Sequence, residues 1–176
     1  MIKKTLFALS ILSLGSAAFA EESSKYYAEA NLGSIKYSEA GYYASPVVGS
    51  LKFGMNIDKN LAVEGLLGTT ISNANFNIGV TPVSVKYESI YGVFLKAKTE
   101  IAPNLDVFAR LGYIHATISA STAFGSASKG GSDFSYGIGA QYNFTPTIYG
   151  QLDYMSYYNK NGATANGPSA GLGLKF

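Results

Sequence analysis

The sequence predicts an all-β protein: an eight-stranded antiparallel up-and-down transmembrane β-barrel preceded by a cleavable signal peptide. Three observations point there. The first twenty residues have the build of a secretory leader. Eight later segments alternate apolar with polar or small residues at a period of two. Short and long connections between those segments also alternate.

The leader reads MIKKTLFALSILSLGSAAFA, with Lys3 and Lys4, an apolar stretch from Leu6 to Leu14, and an Ala18-Phe19-Ala20 close. A basic start, a short apolar middle and small residues at the cleavage positions define a signal peptide. The apolar stretch falls short of the roughly 20 residues a spanning helix needs. Cleavage directed by Ala18 and Ala20 is expected after Ala20, giving residues 1–20 as leader and 21–176 as one barrel domain.

Composition narrows the choice. The chain has 13 Lys+Arg against 11 Asp+Glu, and Lys3 and Lys4 leave with the leader, so the mature charge balances. A nucleic-acid partner would call for a basic face. With no cysteine there is neither a disulfide framework nor a thiolate site. The mature part has no apolar run near 20 residues, yet the chain holds 14 Tyr, 10 Phe and 20 Gly. A soluble β-sandwich and a membrane barrel both fit that composition.

In chain order the alternating segments are Tyr26–Tyr37, Val47–Asn56, Leu61–Ile71, Val85–Lys98, Leu105–Ile118, Asp133–Phe144, Ile148–Tyr157 and Ser169–Phe176. Most are close to the 9–11 residues of a tilted membrane strand. Pro46, Pro82, Pro103, Pro146 and Pro168 all lie between segments, where a residue without an N–H breaks no ladder. Residues 57–60, 99–104 and 145–147 form tight connections; 38–46, 72–84, 119–132 and 158–168 read as longer loops. That alternation is the mark of an up-and-down barrel.

The faces decide the solvent. In LDVFARLGY, Leu105, Val107, Ala109, Leu111 and Tyr113 oppose Asp106, Phe108, Arg110 and Gly112. The apolar face begins and ends in aromatics (Tyr136 with Tyr142 and Phe144, Tyr87 with Tyr91, and Tyr154), as a lipid-interface girdle would. The other face is rich in Gly, which suits a crowded interior. Hydrocarbon offers no hydrogen-bond partner, so without a spanning helix only a closed sheet can cross it.

Charges are then forced inward, because Lys or Arg facing lipid at the midplane costs about 2–4 kcal/mol. Glu29, Lys52, Glu64, Lys86, Glu88, Lys96, Arg110 and Asp153 are assigned to the lumen, with Glu29, Lys52, Glu64, Lys96, Arg110 and Asp153 as its charge network. Inward Leu66, Ile90, Phe94 and Phe108 help fill an eight-stranded interior. The expected result is a plug; the alternative is a narrow porin-like channel gated by the same salt bridges. His115, the single histidine, shares a face with Thr117 but has no evident acid beside it, so a rim position is expected rather than catalysis. No enzyme activity, metal or other cofactor is expected. GSASKGGS and NGATANG read as Gly/Ser-rich loops, and Tyr42 and Tyr43 as interface or contact aromatics.

The final segment, SAGLGLKF, resembles the terminal assembly signal of bacterial outer-membrane barrels, with Ser169, Gly171, Leu174 and Phe176 in the matching positions. YYAEANLGSIKY, YGVFLKAKTEIAPNLDVFARLGYIHA and YGIGAQYNFTPTIYGQLDYMSYY look like the small barrels of the opacity and OmpA-like superfamily. The resemblance implies an integral outer-membrane protein with a structural or surface role and loops open to adhesion or host contact. It implies outer-membrane lipid and lipopolysaccharide as surroundings, and recognition by the barrel-assembly machinery. The barrel is expected to be a monomer without the family's periplasmic peptidoglycan-binding domain. In OmpA-like relatives an arginine on strand seven can join a lumen network; here that stretch reads GQLDY, with Gln151. A lipid-modifying barrel enzyme is the more distant alternative.

Overall fold

The computed structural model describes residues 24–78, 81–160 and 162–176, so Ala18 and Ala20 lie outside the described residues. Among the described residues eleven strands run in chain order: β1 (Tyr26–Ser34), β2 (Lys36–Glu39), β3 (Tyr42–Ala44), β4 (Val47–Asn56), β5 (Leu61–Ser72), β6 (Ala74–Ile78), β7 (Thr81–Ala102), β8 (Leu105–Thr122), β9 (Gly125–Asn143), β10 (Ile148–Lys160) and β11 (Ala163–Lys175). Eight of them form the wall, in the order β1-β4-β5-β7-β8-β9-β10-β11, and β11 pairs back onto β1. All these pairings are antiparallel. The seam runs from Tyr27↔Lys175 to Gly33↔Ser169. Closure leaves the eight-stranded wall without an open edge, which is what lets a sheet sit in hydrocarbon. No helix among the described residues is long and apolar enough to cross a membrane.

The two faces separate as the period-two pattern requires. Leu67, Val93, Ile138, Leu152 and Leu172 stand on the outside, each at least 59% exposed. Leu66, Ile90, Phe94, Ile114 and Met155 are buried inside. A continuous apolar outer surface of this kind has no favourable partner in water. Aromatic pairs mark its rims. Tyr91 stacks on His115 and Tyr113 meets Phe134 edge-on towards one end; Tyr142 meets Phe144, and Tyr26 stacks on Phe176, at the other. Phe176 is fixed there by backbone hydrogen bonds exchanged with Tyr26, at 2.9 and 3.0 Å.

The tight turns are held by their own side chains. Asp58 Oδ1 accepts from the N–H groups of Asn60 and Leu61, and Thr145 Oγ1 from that of Ile148. Asn104 takes a φ of 66°, a conformation Asn tolerates well.

The far side differs from the expectation of long loops. Residues 119–132 continue β8 and β9 up to the turn at Ala123 and Phe124, and 163–168 belong to β11. Within 72–84, β6 pairs with the start of β7, and β2 and β3 form a small hairpin beside β11. Backbone pairing asks nothing of the side chains, so Ser-, Gly- and Ala-rich stretches extend the ladder without an apolar rhythm.

A second difference follows from a β-bulge. The register of β7 against β8 slips between Tyr87 and Ser89, so Glu88 is the extra residue. Below it, Ile90, Phe94 and Lys96 point inward; above it, Val83, Val85 and Tyr87 do. Lys86 and Glu88 are therefore not in the lumen. They face out beyond the apolar band, half-exposed, with Lys86 Nζ 3.7 Å from Glu88 Oε1. Tyr87, expected in the outer girdle, is buried inside instead.

Close approach explains an inward glycine. A Cβ on Gly139 would lie 2.4 Å from Phe108 Cζ and 2.5 Å from the Leu152 carbonyl oxygen, whereas one on outward Gly65 would meet nothing within 4 Å. Gly139→Val is expected to destabilise the barrel by about 1–3 kcal/mol through overpacking, and Gly65→Val to leave stability unchanged or higher. Urea titration followed by the gel shift between folded and unfolded forms measures both.

Candidate functional site

Each of the eight wall strands sends a polar side chain to the middle of the barrel: Glu29 from β1, Lys52 from β4, Glu64 from β5, Lys96 from β7, Arg110 from β8, Gln141 from β9, Asp153 from β10 and Ser169 from β11. Register brings them level, since Glu29 lies opposite Lys52, Lys96 opposite Arg110, and Asp153 opposite Ser169. All eight are buried.

Arg110 is the hub. Its Nε donates to Glu64 Oε2 at 2.6 Å and its Nη1 to Asp153 Oδ2 at 2.6 Å. Its Nη2 reaches Gln151 Oε1 at 3.0 Å, Glu64 Oε1 at 3.1 Å and Glu29 Oε1 at 3.4 Å. The planar fork of guanidinium donors suits four accepting side chains arrayed around it. Lys52 Nζ lies 3.0 Å from Glu29 and 3.4 Å from Asp153. Lys96 Nζ donates to Gln141 Oε1 at 3.1 Å, lies 3.7 Å from Glu64 Oε1, and sits over the Phe108 ring, 4.4 Å from its centroid. Three carboxylates thus face three cations.

Neutral donors fill the remaining lone pairs. The Tyr27 hydroxyl donates to Glu64 at 2.6 Å, the Tyr149 hydroxyl to Glu29 at 2.9 Å, and the Ser169 hydroxyl to Asp153. Gln151 accepts from Arg110 and donates to Glu29 and Asn31. The position read as departing from the OmpA-like pattern is therefore itself part of the network. Tyr27, Tyr149, Gln141 and Gln151 escape a reading that tracks charge alone, although their inward parity was visible.

The arrangement can hold the wall together and block the lumen. Among the described residues no group of His, Cys, Asp and Glu could hold a metal ion. His115 lies on the outer side, stacked on Tyr91 with ring centroids 5.0 Å apart, and its Nδ1 meets Ser132 Oγ at 2.7 Å. Its neighbours are a hydroxyl and an aromatic ring, not a carboxylate.

Beyond the apolar band, Glu39 accepts a short hydrogen bond from the Tyr37 hydroxyl and lies 3.4 Å from Lys129 Nζ, joining the β2–β3 hairpin to the β8–β9 hairpin. The Tyr37 hydrogen bond, with help from Lys129, holds the Glu39 carboxyl below the usual carboxylate range. On the last strand, Ser169 and Gly171 face the lumen, while Leu174 and Phe176 face out.

A closed sheet with apolar residues outside and compensated charges inside defines an integral membrane β-barrel. Residues 6–176 match the family described as outer membrane protein β-barrel domain, and the chain belongs to that family, whose place is the outer membrane. A comparison with curated protein sequences found no match. Among solved structures, the chain is similar to Ail, the attachment invasion locus protein of Yersinia pestis, with a TM-score of 0.66 and 19% identity over 88% of this chain and 100% of that one. Neisserial surface protein A gives 0.70 at 15% identity over 89% and 100%. The N-terminal barrel domain of Pseudomonas aeruginosa OprF gives 0.62 at 12% over 85% and 97%. At these identities the likeness is one of fold.

Two outcomes are expected. Arg110→Leu leaves three buried carboxylates against two lysines and should cost about 3–5 kcal/mol in the urea gel-shift titration, part of it recovered by adding Glu64→Gln. The Glu39 contact should be complete above the ordinary carboxylate range and disappear as pH falls through the lowered Glu39 value. Carbon-13 NMR of the Glu39 carboxyl should show a midpoint below the about 4.3 of a free glutamate, and Tyr37→Phe should raise it.

Proposed function

We propose that this protein is a surface-exposed structural barrel that binds a host or surface ligand at the tips of its extended hairpins and does no chemistry of its own. One observation carries the reading: Phe124, at the turn between β8 and β9, is 92% exposed. Its hairpin rises past Lys129, well beyond the apolar band, so a lipid-interface role does not account for it. Tyr43, which is 68% exposed with Lys36 Nζ 5.2 Å over its ring, and Tyr42 add aromatic surface on the β2–β3 hairpin. Large exposed aromatics on rigid supports are the residues that anchor protein partners.

The structural part rests on the buried network and the closed wall. Outer-membrane lipid and lipopolysaccharide would contact the apolar band. Ser169, Gly171, Leu174 and Phe176 would be read by the assembly machinery during insertion, as the terminal strand places apolar side chains outward. Ail has also been solved in complex with the heparin analogue sucrose octasulfate. In this chain two of the surface lysines, Lys86 and Lys129, are already paired with Glu88 and Glu39, which favours an aromatic over a polyanion-directed contact.

Display of the barrel on a non-adherent bacterium should promote attachment to epithelial cells, and Phe124→Ser with Tyr43→Ser should reduce it about tenfold while the barrel stays heat-modifiable. Unchanged attachment would remove the adhesive role. Planar-bilayer recording should show no discrete conductance; regular openings would favour the narrow channel.

A further inference from the structure

The lipid-facing side of β1, β10 and β11 carries a shallow groove, lined by the small Ala30, Gly150 and Ala170 and the larger Leu32, Leu152 and Leu172 among others. Followed outward along β11 and from β1 into β2, the groove leads to a pair of polar residues. Leu32 and Ala170 are cross-strand partners, and four residues further out so are Lys36 and Asn166. Ile35 and Ala165 are buried inside, so Lys36 and Asn166 face out, side by side. Building on the reading that membrane lipid covers the apolar band, we propose that this corner binds a phosphorylated lipid. An acyl chain lies in the groove and the phosphate sits between Lys36 and Asn166.

Two independent features support the phosphate end. The first is that Lys36 has no carboxylate beside it. Its ammonium stands 5.2 Å from the centre of the Tyr43 ring, which attracts the charge without neutralising it. Lys86 and Lys129, in contrast, reach Glu88 and Glu39. Glu39, the acid nearest Lys36 in sequence, is turned away to the Tyr37 hydroxyl and Lys129. Among the described residues, the outward positions of β2, β3, β10 and β11 hold no Asp or Glu. The second feature is the orientation of Asn166. The Tyr154 hydroxyl donates to its Oδ1 at 2.9 Å, so the amide presents its N–H donors as the free end.

Depth and chemistry select the occupant. Tyr154 is an exposed aromatic of the rim, where tyrosine hydroxyls sit at headgroup level, and its hydroxyl touches Asn166. Lys36 and Asn166 therefore stand where lipid phosphates lie. The ammonium and the freed amide both donate and neither accepts, which suits an anion with several oxygens. A diacylglycerol would fill the groove and leave these donors to water. A soluble phosphate would meet the donors and have no use for the groove. An amphiphile with a phosphate at the head of its chains answers both.

The test is native mass spectrometry of the barrel released from detergent micelles after incubation with dimyristoyl phosphatidic acid or with dimyristoylglycerol, which has the same chains and no phosphate. One molecule of the phosphatidic acid should be retained per barrel, about tenfold more firmly than the glycerol lipid. Lys36→Gln should lower its retention to the level of the glycerol lipid, and Tyr154→Phe, which lets Asn166 turn, should lower it about threefold. Lys86→Gln should leave it unchanged, and excess inorganic phosphate should not displace it. All three substitutions change exposed side chains, and the variants should stay heat-modifiable. Equal retention of the two lipids overturns the phosphate site and leaves the apolar contact standing, whereas retention of neither overturns the lipid contact as well. Equal losses in Lys86→Gln and Lys36→Gln, or displacement by inorganic phosphate, also overturn the proposal.

Discussion

Everything in this molecule follows from hydrocarbon's inability to accept or donate a hydrogen bond. A backbone placed in lipid must satisfy its own N–H and C=O groups, and a sheet does so only by meeting itself. The β1–β11 seam is therefore the decisive contact, and the rest of the architecture adapts to it. Once the wall is closed, side chains have two destinations of opposite character. Lipid takes the leucines, valines and isoleucines, and whatever cannot face lipid is confined to a narrow tube.

Confinement sets the internal chemistry. In an eight-stranded barrel the interior is barely wider than the side chains that fill it, so a charge sent inward has little water to meet. The answer is complete mutual compensation, with Arg110 at the middle and hydroxyl or amide donors completing the carboxylates. Removing one member of such a network is costly, yet the network is no proof of net stabilisation over an apolar filling. What it does secure is a definite level for each strand, because Arg110 meets its partners in only one stagger of the wall.

Much of this was legible in the residues. Period-two alternation within β8 places Leu111 outside and Arg110 inside without any structure, and the six network charges follow from the same parity. The parity rule fails where the ladder slips. Nothing in the stretch VKYESIYG announces that Glu88 is an extra residue, yet that one insertion moves Tyr87 inward and Lys86 outward. The hairpin extensions were hidden for a different reason. Above the membrane neither face meets hydrocarbon, so SASTAFGSASKGGS carries no apolar rhythm even though its backbone pairs fully. Phe124 escaped notice with it.

The central cluster draws on strands from both ends of the chain, Glu29 near the beginning and Asp153 near the end. Arg110 on β8 meets its acids on β1, β5 and β10, so its partners come together only where the sheet has curled round on itself. In the strand order of the opened sheet β1 stands at one end and β10 next to the other, so Glu29 and Asp153 become neighbours of the same arginine only through the seam. The guanidinium is in this sense a test of circularity: a finished cylinder satisfies it from both flanks, and a flat ribbon does not.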